Sequence, residues 1–232
     1  MLSPLFTRFW NLPMSTQAEL ARENMVENQI RTWEVLDPRV LEVLGRLHRE
    51  DFVPERFRGM AFVDVELPLG HGEVMLKPVV EGRVLQAVAI EPGQRVLEIG
   101  TGSGFLSACL AELGGRVHSV ELHADLADQA RRNLAGAGIA GVTVEVCDAL
   151  TDYATKEPFD CVVLTGAVFA LPERVRGWVR PGGRLFAITG ESPAMQALLH
   201  TRVDATHWQT ESLFETDIPY LTNATPPRHF TL

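Results

Sequence analysis

The sequence predicts an α/β fold with a mostly parallel seven-stranded sheet, helices on both of its faces and a C-terminal antiparallel hairpin. From Val96 onward, short apolar runs typical of buried strands alternate with helical patterns. Such alternation implies parallel strands joined by right-handed crossovers. Two longer strand patterns, at 195–203 and 208–215, then follow each other closely, which predicts a hairpin at the sheet edge.

The elements follow in order along the chain. A helical pattern over 18–33 precedes a second helix that begins at Pro38, where Asp37 supplies an N-cap. Prolines and glycines break regular elements in 50–78, so we expect a long irregular loop, and such loops are commonly functional. The remaining pattern predicts strands at 96–99, 116–121, 142–146, 159–165 and 184–189, and helices at 78–90, 105–113, 124–134 and 172–179.

Composition bounds the function classes. The 232 residues carry a formal net charge of −9 and a pI of about 5.3, without a basic run, so we expect no nucleic-acid partner. No apolar run is long enough to span a bilayer, and residues 1–13 make a poor signal peptide, so we expect no membrane partner. The three cysteines lack CxxC spacing, which indicates reduced thiols, no metal site and a cytoplasmic protein.

The most informative stretch is a strand that ends in a glycine turn before a helix. Glycines at 100, 102 and 104 let the backbone turn sharply and approach a ligand closely. The free N–H groups of the following helix favour an anionic group. The spacing departs from the dinucleotide fingerprint Gly-x-Gly-x-x-Gly, because its third glycine would fall on Phe105. A purely structural strand-to-helix turn is the alternative.

Glu98, two residues before the first glycine, indicates which ligand the turn holds. A carboxylate contributes little to binding a pyrophosphate, but it forms a charge-assisted hydrogen bond with an ammonium group. S-adenosylmethionine (SAM) has an ammonium group, a carboxylate and a sulfonium, and no phosphate. We therefore expect Glu98 near the methionine ammonium. The turn residues expected near the rest of the methionine moiety are Gly100, Thr101, Gly102, Ser103 and Gly104.

Two further acids follow the next predicted strands. Glu121 lies 21 residues after Gly100, close to the spacing at which an acid binds ribose hydroxyls. The alternative is a solvated acid at a helix start. Asp148 follows the third strand and either contacts the adenine amino group or caps a helix. Leu122 and Ala149, their neighbours, complete the predicted cofactor site.

Six sequence blocks carry a family resemblance. They lie at 25–31, 37–41, 49–54, 61–64, 67–70 and 97–105. In order and spacing they resemble the protein-L-isoaspartate O-methyltransferase family, over a match that runs from about Met25 to Thr189. The resemblance implies a Rossmann-like class I SAM methyltransferase fold. It also implies methyl transfer from SAM to isoaspartyl carboxylates in damaged protein, with S-adenosyl-L-homocysteine as the product.

The acceptor side departs from this family. After its Gly-x-Gly turn the family usually reads Gln-Thr-Ile-Ser-x-Pro, and its serine lies in the active site. Here Leu76 holds the serine position and Val74 the threonine position. Lys77 either turns inward and supplies a charge or stays solvated, and His71 either faces the substrate or has no role. We assign no catalytic residue. The substrate-loop candidates are His71, Glu73, Leu76, Lys77 and Thr165.

Three functions stay open. The first is methylation of isoaspartyl or D-aspartyl carboxylates in proteins; these are ionised at pH 7 and need no general base. The second is SAM-dependent methylation of another acceptor, such as a small molecule or another protein carboxylate. The third is SAM binding without catalysis. We expect three regions: an N-terminal extension at 1–15, either disordered or an apolar docking segment; helices and a substrate loop at 16–90; and a SAM-binding catalytic domain at 91–232.

Overall fold

The computed structural model describes residues 14–227. The predicted extension at 1–15 lies outside the described residues, except that the first helix begins at Met14. The α-helices are α1 (Met14–Met25), α2 (Pro38–Arg46), α3 (Pro78–Val88), α4 (Phe105–Glu112), α5 (Ala124–Gly136) and α6 (Glu173–Gly177). The strands are β1 (Leu67–Gly70), β2 (Glu73–Met75), β3 (Arg95–Ile99), β4 (Arg116–Glu121), β5 (Val142–Val146), β6 (Phe159–Val168), β7 (Val179–Thr189), β8 (Met195–Arg202) and β9 (Trp208–Thr216).

Seven strands form one sheet in the order β5-β4-β3-β6-β7-β8-β9. Neighbours from β5 to β7 are parallel, whereas β7-β8 and β8-β9 are antiparallel. The predicted mostly parallel sheet with a C-terminal antiparallel hairpin is confirmed. The chain leaves β3 for β4 and β5 on one side and returns to β6 on the other. This reversal opens a crevice at the carboxyl end of β3, where α/β proteins bind ligands.

Both faces of the sheet are covered, and alternate residues of its central strands point into two separate cores. In β3, Val96 belongs to a core shared with α2, α3 and α4, while Leu97 belongs to a core shared with Val175 of α6. In β6, Val163 belongs to the first of these cores and Val162 to the second. Strands buried on both faces read as continuous apolar runs, which is why the sequence predicts them well.

The stretch 50–78 is more regular than predicted. Strands β1 and β2 form a small antiparallel hairpin, with Leu67 opposite Met75. The chain reverses at Gly70, His71 and Gly72, which all have positive φ angles, of 122°, 54° and 86°. Strands of four and three residues are too short to leave an alternating signature. The hairpin therefore could not be distinguished from an irregular loop.

The first predicted helix, over 18–33, also differs in detail. Its α-helical part ends at Met25, after which the chain continues as a π-helical turn, Val26–Ile30, and a 3₁₀ turn, Arg31–Trp33. The apolar residues still face the core, since Met25 and Ile30 are fully buried. Asp37 caps α2 as predicted, because its carboxylate accepts a hydrogen bond from the Arg39 amide at 2.9 Å. None of the helices in residues 14–227 combines the length and apolar character needed to cross a bilayer.

Candidate active site

A cleft lies at the carboxyl ends of β3, β4 and β6. It encloses about 880 Å³, a volume that includes the solvent in its open mouth. The glycine turn after β3 forms one wall, and β2 with Leu76 forms a second. A third wall is the segment 219–222, which follows the last strand and returns to the sheet.

Nine of the ten residues predicted for cofactor binding line this cleft. They are Glu98, Gly100, Thr101, Gly102, Ser103, Glu121, Leu122, Asp148 and Ala149. The exception is Gly104, which faces α5 instead. A Cβ at Gly104 would lie 3.3 Å from the Cβ of Ala130, so this glycine allows α4 and α5 to pack closely.

Glu98 is a fully buried carboxyl group at the base of the cleft. Its Oε2 accepts hydrogen bonds from the hydroxyls of Ser107 and Ser119, the latter at 2.6 Å. Its Oε1 has no hydrogen-bond partner within the described part of the chain. Burial raises the pKa of Glu98 to about 7, and the two serine hydroxyls oppose that rise. An unpartnered, buried carboxylate oxygen is costly, and a cationic ligand group would satisfy it.

The glycine turn is held by Thr165 of β6. The Thr165 hydroxyl donates to the carbonyl oxygens of Ile99 and Gly100, at 2.9 and 2.7 Å. Gly100 has a φ of 95°, and a Cβ there would lie 2.3 Å from the Thr165 hydroxyl oxygen. Only glycine fits this close approach. Thr165 lines the cleft, but its proton is already committed to the backbone, so the structure favours a supporting role for this substrate-loop candidate.

Glu121 uses both carboxylate oxygens on backbone amides. Oε1 accepts from the His123 amide at 3.0 Å, and Oε2 accepts from the Gly102 amide at 2.9 Å. Glu121 thus ties the end of β4 to the glycine turn. A carboxylate oxygen has two lone pairs, so these bonds leave acceptor capacity toward a ligand hydroxyl.

Asp148 is held from two sides. Its Oδ1 accepts from the Leu150 amide at 2.9 Å, and its Oδ2 accepts from the Asn223 side chain at 2.7 Å. The first contact closes a turn after β5, and no helix begins in residues 149–158, so Asp148 is not the helix N-cap that the sequence offered as an alternative. The second brings in the C-terminal segment, which no sequence pattern connected with this site.

The acceptor wall is supported by a buried ion pair. Arg49 is fully buried, and its Nε donates to Glu81 Oε2 at 3.1 Å. Its remaining nitrogens donate to the carbonyl oxygens of Leu76, at 2.6 Å, and Ala61, at 3.2 Å. Burial raises the pKa of Glu81 to about 7, while Arg49 opposes the rise. Arg49 therefore fixes the backbone on which Leu76 presents its buried side chain to the cleft.

The other substrate-loop candidates divide between the cleft and its rim. Glu73 lines the cleft, and its pKa is raised by burial and by the neighbouring Glu121 carboxylate. His71 does not line it, and its imidazole instead stacks on that of His123. Lys77 does not line it either, because its ammonium lies 3.9 Å from Glu66. Of the three polar candidates in this loop, only Glu73 lines the cleft.

The wall formed by residues 219–222 could not be predicted from the sequence. No motif or hydrophobic periodicity in the sequence points to residues 219–222. Leu221 donates its amide to the Ala167 carbonyl oxygen at 2.8 Å. Its side chain lies against Gly166, where a Cβ would come within 2.7 Å of it. The only sequence signal is the apolar character of Ile218 and Leu221 in an otherwise polar tail.

The residues present fit SAM. The unpartnered Glu98 oxygen suits the methionine ammonium, and the positive φ angles of Gly100 and Gly102 leave backbone without side chains facing the cleft. No Lys, Arg or His side chain lines the cleft in the part of the chain that the structure describes, so a phosphate ligand would find no countercharge. Residues 14–227 contain no group of His, Cys, Asp and Glu side chains that could hold a metal ion.

This fold and this site define the class of SAM-dependent methyltransferases. The chain belongs to the protein-L-isoaspartate(D-aspartate) O-methyltransferase family, whose model matches residues 20–218. Methyl transfer from SAM is the chemistry of this family, and the prediction of both the family and the cofactor is confirmed.

Named relatives span most of the chain. A protein-L-isoaspartate O-methyltransferase of Methylorubrum populi is 38% identical over 181 residues, which cover 78% of this chain and 84% of the relative. Another, of Methanoculleus marisnigri, is 41% identical over 169 residues, covering 73% and 77%. A Plasmodium falciparum protein of the same description, crystallised with S-adenosyl-L-homocysteine, has the same fold. Its TM-score is 0.75 at 18% identity, over 87% of this chain and 98% of that one.

Proposed function

We propose that this protein is a SAM-dependent protein-L-isoaspartate(D-aspartate) O-methyltransferase that acts on isoaspartyl sites in proteins and peptides. The observation that carries the proposal is that Leu76, at the family's serine position, and Glu98, at the donor turn, line one cleft. Methyl transfer is a direct displacement, and alignment of donor and acceptor contributes roughly 7–11 kcal/mol in favourable cases. One cleft with a donor wall and an acceptor wall supplies that alignment.

Bound SAM supplies a methyl group that its sulfonium activates. The residues of this chain bind and orient SAM and exclude water from the cleft. Glu98 pairs with the ammonium, and Glu121 and Asp148 offer acceptors at the cleft edge. Thr165 keeps the turn rigid through its two backbone contacts. Leu76 and Val74 make the acceptor wall apolar, so water is excluded from the reacting centre. An isoaspartyl carboxylate has a pKa near 4 and enters ionised, so no general base is required.

A second function, methylation of a different acceptor, is favoured by the charge of the cleft. Its lining has five carboxylates, those of Glu73, Glu81, Glu98, Glu121 and Asp148. Glu81 is paired with the buried Arg49, but within the described residues no basic side chain itself lines the cleft. An anionic acceptor without hydrogen-bond donors is penalised by several kcal/mol. A neutral small molecule or a cationic group would avoid that penalty. Loss of catalysis with SAM binding retained is the third possibility.

Labelled SAM distinguishes these functions. The protein is incubated with methyl-labelled SAM and an isoaspartyl peptide, with the matching aspartyl peptide as control. We expect label on the isoaspartyl peptide only. Label on other components of an extract, with none on the peptide, would support a different acceptor. SAM binding without any transfer would support the third function.

The cytoplasmic location, and the boundary near residue 90 between the substrate-loop region and the SAM-binding domain, remain predictions.

A further inference from the structure

Two histidine rings join the β1-β2 hairpin to the segment between β4 and α5. The rings of His71 and His123 stack with their centroids 4.0 Å apart and their planes 8° from parallel. Each ring also faces a carboxylate of the opposite segment. His71 Nε2 lies 2.9 Å from Asp125 Oδ2, and His123 Nε2 lies 3.8 Å from Glu73 Oε1. Each of the two segments, the β1-β2 hairpin and the start of α5, therefore contributes one histidine and one carboxylate to the contact between them.

The stacked rings also connect to the donor turn. The His123 amide donates to Glu121, whose other oxygen accepts from the Gly102 amide. Leu69 of the hairpin touches the same turn, since a Cβ at Gly102 would lie 3.1 Å from its side chain. The hairpin thus approaches the donor-binding backbone directly through Leu69 and indirectly through His123 and Glu121. Its second strand forms a wall of the cleft.

We propose that His71 and His123, here called the histidine clamp, hold the β1-β2 hairpin over the bound methyl donor. They are positioning residues that touch neither donor nor acceptor. The inference deepens the proposed function, because it takes SAM as the ligand of the cleft. His71 has a φ of 54°, which a glycine would adopt more easily. What the imidazole adds at this turn is its contact with the opposite segment.

The test measures binding of S-adenosyl-L-homocysteine by calorimetry and hydrogen exchange of 67–76, so it does not depend on catalysis. Loss of an aromatic stack predicts a dissociation constant about 3- to 10-fold higher in His71→Ala, with faster exchange of 67–76 in the complex. His71→Phe keeps the stack without the carboxylate contact, and we expect its dissociation constant within about twofold of wild type. His123→Ala removes the same stack from the other side and should match His71→Ala.

His207 is a matched control, because its Nδ1 lies 2.9 Å from Asp204 in the turn between β8 and β9, away from the cleft. His207→Ala should bind S-adenosyl-L-homocysteine as wild type does. Equal affinity and exchange in His71→Ala and wild type would refute the clamp, as would faster exchange throughout the chain, which indicates general destabilisation. If the wild-type protein fails to bind S-adenosyl-L-homocysteine, both the proposed donor site and the proposed clamp are refuted. Binding without transfer to an isoaspartyl peptide refutes the proposed acceptor alone.

Discussion

Donor binding should release a proton from Glu98. Burial raises the pKa of this carboxyl from 4.5 to about 7, so near neutral pH it is only partly ionised in the free protein. An ammonium group beside its unpartnered oxygen favours the carboxylate form. Binding therefore lowers the pKa and drives the proton into solution.

The magnitude follows from that pKa. At pH 6 Glu98 is roughly 90% protonated, and at pH 8 roughly 10%. Binding of S-adenosyl-L-homocysteine should then release about 0.9 proton at pH 6 and about 0.1 proton at pH 8. The dissociation constant should be about tenfold higher at pH 6 than at pH 8. For the free protein, the raised pKa favours folding below pH 4.5, and about 3 kcal/mol of that advantage is lost as pH rises through 7.

Calorimetry at pH 6 in two buffers with different ionisation enthalpies counts the released protons. Glu98→Gln is the control, since it keeps the shape of the side chain and cannot ionise. We expect weaker binding in this variant, without proton release. Glu81 is the other cleft carboxyl whose pKa is about 7, so it is the alternative source of a released proton. Proton release that persists unchanged in Glu98→Gln would come from another group and would refute the assignment to Glu98.

Three further perturbations test the turn, the acceptor wall and the buried ion pair. Gly100→Ala forces a Cβ to 2.3 Å from a threonine hydroxyl, so calorimetry should show loss of S-adenosyl-L-homocysteine binding. Gly136→Ala, where nothing lies within 4 Å, should bind normally. Leu76→Ser should raise the rate on an isoaspartyl peptide, and an unchanged or lower rate would show that the pocket has been rebuilt. Arg49→Ala leaves a buried carboxylate uncompensated and should cost roughly 3–5 kcal/mol in urea unfolding. Arg31→Ala, which breaks an exposed pair, should cost less than about 1 kcal/mol.

The donor side of the cleft could be predicted because its signals are local. A buried strand, a glycine turn and a helix start follow one another within about ten residues, and Glu98 precedes the turn at a fixed spacing. Parallel strands bring their carboxyl ends to one edge, so Glu121 and Asp148 could be placed as well. Their exact partners could not, since the bond between Gly102 and Glu121 depends on how β3 and β4 align.

The acceptor side depends on contacts between distant residues. Arg49 and Glu81 are 32 positions apart, and charged residues are rarely fully buried unless paired, so the sequence gives no reason to place them inside. His71 and Asp125 are 54 positions apart, and an exposed loop histidine has no distinguishing pattern. The sequence shows that Leu76 stands at the family's serine position. It does not show that Leu76 is buried or that Arg49 fixes its backbone, because both depend on how distant parts of the chain pack.

The C-terminal segment that closes the cleft is attached both to the donor site and to the packed interior. Residues 219–224 bond to the carboxyl end of β6 and to Asp148, yet they lie beyond all seven strands of the sheet. A protease that cut the chain just after Asp217 would leave every ladder of that sheet in place. It would remove the contacts on Gly166 and on Asp148 together. The same cut would also remove the buried side chains of Ile218 and Ala224, one from each hydrophobic core, so closure of the cleft and packing of the interior depend on the same short segment.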